Sequence, residues 1–233
     1  MPPMLAPFDT CAFLRRLPLF TDIDDGALQR LGPACRLRRF ERGEMVFRMG
    51  DPCESFFVVA GGQVRLFVIA PNGNEKVIEL CGPGQSFAEA LMFLGKPCLV
   101  NAQALADCLL VEVPRTALMA ELASDGRLAL KMLAGLSRRL HGLVHDVQAY
   151  ALQSGVQRVV GYLLRDIADG RDDGRPVTVS LPVSKATVAS RLSLTPEYFS
   201  RVLHELESTG LIEIDRRDIH ILDAEGLSRH LAN

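Results

Sequence analysis

The feature that most constrains the fold is a strict apolar stripe between residues 129 and 150. Its members follow one another at alternating steps of four and three residues: Ala129, Leu133, Leu136, Leu140, Leu143, Val147 and Tyr150. This spacing is the a/d seam of a two-stranded coiled coil, in which each side chain packs into a hole on a partner helix. We therefore predict a dimerisation helix over residues 124–151, with Leu133 to Tyr150 as its interface. The alternative, a helix packed only on its own domain, would normally show a wider apolar face.

The residues before this helix follow a different pattern. Five runs rich in Val, Ile and Phe alternate with Gly-containing turns: Glu44–Phe47, Ser55–Val59, Gln63–Ile69, Lys76–Glu79 and Leu109–Val113. One turn is Asn72-Gly73, a strong hairpin signal because both residues tolerate positive φ. Short strands at even spacing predict an antiparallel β-barrel or jelly roll. We assign it to an N-terminal domain over residues 1–123, with a short helix at Asp24–Leu31.

Composition excludes several classes of protein. No apolar run approaches the ~20 residues of a membrane helix, and no secretion signal is visible, so a cytoplasmic location is expected. None of the six cysteines forms a CxxC pair, which removes zinc-ribbon and thioredoxin-like readings. Residues 152–233 hold 10 Lys and Arg against 12 Asp and Glu. Overall charge therefore argues against nucleic-acid binding, and any DNA hypothesis depends on where particular charges lie.

Residues 184–208 have the pattern of a helix-turn-helix. Ser184 can cap a helix that runs from Lys185 to Leu192. Ser193-Leu194 then form a turn. Thr195 can cap a second helix, with Pro196 at the first helical position, where its missing N–H costs nothing.

The second helix divides into two faces. Phe199, Val202, Leu203 and Leu206 share an apolar face, and Glu197, Ser200, Arg201 and His204 share the opposite polar face. Polar residues early in such a helix are those that reach base edges in the major groove. Arginine can bind guanine O6 and N7 together, and glutamate can accept from cytosine N4. An ordinary amphipathic helix with a solvated polar face is the alternative.

The neighbouring sequence favours a DNA-binding function for this helix. Leu211–Ile214 and Asp218–Leu222 predict a β-hairpin whose tip carries Arg216 and Arg217, natural phosphate contacts that add affinity without specificity. A solvated turn is the alternative for this pair. With a strand at Val177–Leu181 in front, residues 152–233 are predicted to form a winged helix-turn-helix DNA-binding domain. The fold class is α+β.

A jelly roll, a long dimer helix and a winged helix in this order resemble the CRP/FNR family of bacterial transcription regulators. The resemblance covers about Phe20 to Leu222, and its most specific segment is Glu197-Tyr198-Phe199-Ser200-Arg201, which is similar to the Glu-x-x-Ser-Arg motif of the FNR branch. It implies a homodimer on palindromic DNA with TTGAT-type half-sites, with RNA polymerase as the partner of an activator. The bases would be read by Glu197, Ser200 and Arg201.

Within the branch, residues 86–93 (SFAEALMF), 136–141 (LSRRLH) and 157–160 (QRVV) look most like the DNR subgroup, regulators of nitrate respiration that respond to nitric oxide. This resemblance implies an effector pocket that includes Phe87, Glu89 and Met92. It also makes haem a possible cofactor, with His141, His145 or the Pro2 amine as candidate ligands.

Two other effectors of the family are not expected. The cyclic-nucleotide cassette pairs Gly-Glu with a downstream Arg, but Ala88 precedes Glu89 and no Lys or Arg occurs between Lys96 and Arg115. A cyclic AMP phosphate would lack its charge-assisted donor. An iron–sulfur cluster needs grouped N-terminal thiolates, and only Cys11 precedes Cys35.

Two alternatives to a DNA-binding function are a ligand-sensing module and an enzyme. The chain could be a regulatory module that responds to another small molecule or to cysteine redox state. An enzyme is not expected, because the sequence shows no metal-ligand cluster, phosphate loop or nucleophile–base pair.

Overall fold

The computed structural model describes residues 8–20, 24–124, 126–168, 177–181 and 183–232. The chain divides into two compact units. The first unit comprises residues up to Ile69 together with Ile78–His141, and the second comprises Ala70–Val77 together with Gly142 onward. No helix among the described residues is both long and apolar enough to cross a bilayer.

The first unit is built on two four-stranded sheets, in the orders β1-β8-β3-β6 and β2-β7-β4-β5. The strands are β1 Arg36–Phe40, β2 Met45–Phe47, β3 Ser55–Gly61, β4 Val64–Ile69, β5 Glu75–Cys81, β6 Ser86–Phe87, β7 Asn101–Ala104 and β8 Cys108–Pro114. Two separate sheets make a jelly-roll-like fold, so the predicted jelly roll is confirmed and the closed barrel is wrong. All five predicted strands are present; β1, β6 and β7 are additional.

Four short helices flank these sheets: α1 Thr10–Arg15, α2 Asp25–Ala34, α3 Glu89–Leu94 and α4 Arg115–Ser124. The Asp24 side chain caps α2 by accepting from the Gly26 N–H at 3.1 Å, which confirms the predicted helix start. Alternate side chains of β3 and β8, including Phe56 and Val113, are buried in one core with Leu14 of α1 and Leu118 of α4.

The predicted dimer helix is α5, Gly126–Leu152, and it has two apolar edges. Leu128 and Met132 are buried in the core of the first unit. The other edge, with Leu133 and Leu140, is exposed. One edge of the helix therefore packs against its own unit, while the edge that carries the predicted interface is exposed.

The second unit contains α6 Gly155–Ala168, β9 Val177–Ser180, α7 Lys185–Arg191, α8 Pro196–Ser208, β10 Ile212–Asp215, β11 Asp218–Ile221 and α9 Ala224–Ala232. Strands β10, β11 and β9 form an antiparallel sheet in that order. Val160 and Leu163 of α6, Phe199 and Leu203 of α8 and Ile219 of β11 are all fully buried. This is the predicted winged helix-turn-helix.

Candidate nucleic-acid interface and sensor cavity

The turn between α7 and α8 is built by local hydrogen bonds. The Ser184 hydroxyl accepts from the Thr187 N–H, and the Thr195 hydroxyl accepts from the Tyr198 N–H, each at 3.2 Å. Ser193 takes a left-handed φ of 56°. These are the caps and the turn predicted from the sequence, and they fix the start of α8 relative to α7.

Helix α8 presents the two predicted faces. Phe199, Val202, Leu203 and Leu206 are buried, which leaves Glu197, Arg201 and His204 exposed and Ser200 half-buried. The Arg201 guanidinium lies over the ring of Tyr198, 5.4 Å from its centroid. An exposed guanidinium resting on an aromatic face keeps its N–H donors turned to the side, where a ligand can reach them.

The polar face continues into the hairpin. His204 Nδ1 lies 3.3 Å from the Glu207 carboxylate. The same carboxylate accepts from the Ile214 N–H at 3.0 Å, and this bond lowers the pKa of Glu207. His204 is therefore engaged within α8, and Glu207 ties α8 to β10.

The hairpin tip carries the predicted arginine pair. Asp215 and Asp218 face each other across the strands, and Arg216 adopts a left-handed φ of 55° between them. Arg216 and Arg217 are both exposed. The Leu181 N–H donates to the Arg217 carbonyl at 2.8 Å, so the tip is braced by the backbone while its two side chains stay open.

A second network, not predicted from the sequence, anchors the carboxyl end of α7. Lys76 Nζ donates to the Ser190 carbonyl at 2.7 Å and to the Arg191 carbonyl at 3.0 Å. The Tyr150 hydroxyl donates to the same Arg191 carbonyl at 2.7 Å. Arg158 donates to the Leu192 carbonyl at 2.8 Å. Tyr150, predicted as the last seam residue of α5, is thus half-buried in contacts of its own chain, and the exposed seam ends at Val147.

The first unit holds a second candidate site around Arg139 of α5. Its guanidinium donates from Nε to Glu79 at 3.1 Å, from Nη1 to the Ser86 carbonyl at 2.9 Å, and from Nη1 to Glu89 at 3.2 Å. Burial would lower the pKa of Arg139, but the charges of Glu79 and Glu89 outweigh it and raise the pKa. These residues line a cleft of about 320 Å³ between residues 84–89 and α5.

Of the residues predicted to bind an effector or a cofactor, only Glu89 lines this cleft among those that the structure describes. Glu89 lines the Arg139 cleft, whereas Phe87 and Met92 are fully buried in the hydrophobic cores. His141 and His145 are exposed on α5, and Pro2 lies outside the described residues. None of the side chains lining the Arg139 cleft is a histidine, and the described residues contain no group of three or more metal-ligating side chains.

The exposed edge of α5 is wider than the a/d prediction. Leu133, Leu140, Leu143 and Val147 are 44–65% exposed, and Leu130 and Val144 beside them are 68% and 46% exposed. Leu136 is half-buried, where it lines an apolar groove of about 470 Å³ with Phe93 and Leu94. Exposed apolar rows of this size mark interaction surfaces.

Comparison with known proteins finds a matching domain family for each part of the chain. The chain matches the cyclic nucleotide-binding domain over residues 37–125 and the Crp-like helix-turn-helix domain over residues 157–230. It is 24% identical over 218 residues to a CRP-like cAMP-activated global transcriptional regulator of Mycobacterium tuberculosis, covering 93% of this chain and 97% of that one. The helix-turn-helix domain and this relative are those of transcription regulators.

Two further relatives are closer in sequence identity. The nitrogen fixation regulation protein FixK of Azorhizobium caulinodans is 30% identical over 194 residues, which cover 82% of this chain and 77% of FixK. The crystal structure of DNR from Pseudomonas aeruginosa is 35% identical and covers 94% of this chain and 96% of that one, with a TM-score of 0.50. This chain therefore belongs to the CRP/FNR family of transcription regulators, with an effector-binding domain in front of a helix-turn-helix DNA-binding domain.

Proposed function

We propose that this protein is a homodimeric regulator that reads palindromic DNA through the exposed polar face of α8. The observation that carries the proposal is the division of α8, in which four apolar side chains are buried while Glu197 and Arg201 remain exposed near its start. The N-terminal part of a recognition helix is the part that meets base edges in the major groove.

Each exposed residue has a role that its chemistry permits. Arg201 would bind guanine O6 and N7, and Glu197 would accept from cytosine N4. Ser200 would contact a neighbouring base. In the FNR-type motif these residues read TTGAT half-sites. Arg216 and Arg217 at the hairpin tip would bind phosphates and add affinity for any sequence. His204 would act at the edge of this surface, because Glu207 already engages it.

The test is a DNA-binding measurement that separates base reading from phosphate contact. Fluorescence anisotropy would compare a TTGAT palindrome with a duplex altered at the guanine of each half-site. Arg201→Ala should lose about 1–3 kcal/mol per half-site for the palindrome and no longer distinguish the two duplexes. Arg217→Ala should weaken both duplexes equally and reduce the salt dependence by about one ion per protomer. If Arg201→Ala retains the preference, α8 is not the reading helix.

The effector is proposed to be something other than cyclic AMP. Every donor nitrogen of Arg139 already faces Glu79, Glu89 or the Ser86 carbonyl. Because these partners already occupy the guanidinium donors, a phosphate would bind Arg139 only by displacing a carboxylate, and the two carboxylates beside it would repel the phosphate. The likeness to the DNR subgroup makes nitric oxide the first effector to add to the binding assay above, with cyclic AMP as the comparison. An activator of this type would act in the cytoplasm and recruit RNA polymerase to the promoter.

Effector control would be a shift between two states of the dimer. Half-sites lie about one DNA turn, or about 34 Å, apart, so a rotation at α5 would move the two recognition helices out of register. An effector changes that balance only if it binds the two states with different affinity. Cysteine redox state is a second candidate signal, favoured by a pair of adjacent thiols in the first unit.

A further inference from the structure

Two cysteines that are 45 residues apart in sequence meet in the first unit. Cys53 lies just before β3, and Cys98 lies in the loop between α3 and β7. The loop is held by two backbone bonds, from the Cys98 N–H to the Asp51 carbonyl at 2.9 Å and from the Gly50 N–H to the Cys98 carbonyl at 2.8 Å. Both side chains belong to the same buried cluster, and each thiol influences the pKa of the other, so the two cysteines are neighbours.

Both cysteines are buried, with 9% of Cys53 and 3% of Cys98 exposed, but they lie at the wall of a cleft. Both residues line a cleft of about 660 Å³, whose other walls include Phe47, Phe57 and Arg115. Cys81 is also buried but does not line this cleft. A small reagent in the cleft would therefore meet these two sulfurs together.

We propose that Cys53 and Cys98 form a reversible intramolecular disulfide, which makes the first unit a thiol redox site. The co-reactant is a low-molecular-weight disulfide. One cysteine thiolate attacks it, so a mixed disulfide forms and one small thiolate leaves. The second cysteine attacks the mixed disulfide and releases the other small thiol. The protein pair loses two electrons and two protons, and the reagent becomes two thiols.

The pair is connected to α5 by a short series of contacts. The Cys53 thiol donates to the Ala88 carbonyl at 3.5 Å. Ala88 holds a left-handed φ of 75° at the start of α3, and the next residue, Glu89, accepts from Arg139 of α5. A disulfide removes the S–H donor from Ala88. Because a non-glycine residue in this conformation persists only when its surroundings support it, oxidation should loosen the start of α3 and the Glu89–Arg139 contact.

Burial sets the rate of this reaction. It raises the pKa of the Cys53 thiol and raises that of Cys98 to about 12. The thiolate is the attacking species, and its fraction grows tenfold per pH unit below the pKa. The initial rate of disulfide formation should therefore rise about tenfold per unit between neutral pH and pH 9.

The experiment uses the full-length protein in glutathione redox buffers, with remaining thiols trapped by iodoacetamide and disulfide-linked peptides mapped by mass spectrometry. We expect a Cys53–Cys98 link that dithiothreitol reverses. Cys98→Ser should abolish it, while Cys108→Ser, which changes a thiol in the neighbouring strand, should leave it intact. Linkage of Cys11 to Cys35 alone, or no link at any redox ratio, would overturn the proposal.

The effect on regulation rests on the proposed function and is measured separately. The oxidised and reduced proteins would be compared on the TTGAT palindrome, with Cys53→Ser/Cys98→Ser as the redox-insensitive control. A change in affinity that this double variant lacks supports a regulatory role. If neither form binds the palindrome, the proposed DNA site is wrong, but the mapped disulfide stands. If both forms bind equally, the disulfide has no influence on DNA binding and the proposed route through Ala88 is wrong.

Discussion

Arg201 and Arg139 carry the same charge in opposite settings. Arg139 is surrounded by two carboxylates and a carbonyl, so it cannot bind another anion without giving up these partners. Arg201 is exposed, and its guanidinium lies over the Tyr198 ring, so its donors remain available. Its exposure on α8 could be predicted because the spacing of apolar and polar residues along this helix is local. Arg139 could not, because its partners lie 50 and 60 residues away on segments that folding brings together.

The support of Arg201 gives a prediction at the residue scale. A Cβ at Gly155 would meet the Tyr198 ring at 2.4 Å, so Gly155→Ala should push aside the ring on which Arg201 rests. A cation–π contact at an exposed site contributes about 0.5–1 kcal/mol, and the affinity for the palindrome should fall about two- to fivefold. Anisotropy titration measures it.

Gly161→Ala in the same helix is the matched control. A Cβ there would make ordinary contact with Leu231 at 3.9 Å. It should leave DNA affinity unchanged and raise the melting temperature, because alanine favours a helix interior over glycine. Equal affinity in the Gly155→Ala and Gly161→Ala proteins would show that Tyr198 does not position Arg201.

At the scale of elements, prediction succeeded where the pattern was local and periodic. The hairpin turn at Gly73, both caps of the helix-turn-helix and the extent of α5 follow from short-range chemistry. Strand β1 was missed because its sequence, Arg36-Leu37-Arg38-Arg39-Phe40, exposes four of five residues and shows no apolar run. The two edges of α5 could not be separated either, since periodicity does not say whether an apolar face meets its own unit or another chain.

The anchor of α5 on the first unit gives a prediction at this scale. Arg139→Met would leave the buried Glu89 carboxylate without its cation. We expect a loss of about 2 kcal/mol in unfolding free energy, below the 3–5 kcal/mol of a fully buried pair, because the Arg139 and Glu79 side chains are 28% and 33% exposed. Urea denaturation measures it.

The neighbouring residue provides the control for this anchor. Arg138 is exposed, and Arg138→Met should change the unfolding free energy by no more than about 0.5 kcal/mol. Adding Glu89→Gln to Arg139→Met should recover part of the loss, since a buried amide costs less than an unpaired carboxylate. Equal losses in the Arg138 and Arg139 variants would mean that the guanidinium does not anchor α5.

At the scale of the whole molecule, the proposed function needs two chains. One protomer offers one α8, whereas a palindrome presents two half-sites about 34 Å apart. The exposed row of α5 is the described surface suited to bring a second copy, because seam residues Leu133, Leu140 and Val147 recur every seven residues. That requirement links the coiled-coil pattern to DNA recognition, although the two features lie in different parts of the sequence.

Leu140→Glu tests that link. Leu140 is 64% exposed in a single chain, so a glutamate there should leave the fold of the protomer intact. Facing its symmetry mate in a dimer, the charge would be desolvated beside a like charge, which strongly opposes association. Sedimentation velocity should show a monomer, and affinity for the palindrome should fall while affinity for a single half-site duplex stays the same. Leu152→Glu, off the seven-residue row but 82% exposed, should remain dimeric and bind normally. A dimeric Leu140→Glu protein would place the interface elsewhere, and a monomer that still binds the palindrome as tightly as the parent would separate dimerisation from DNA reading.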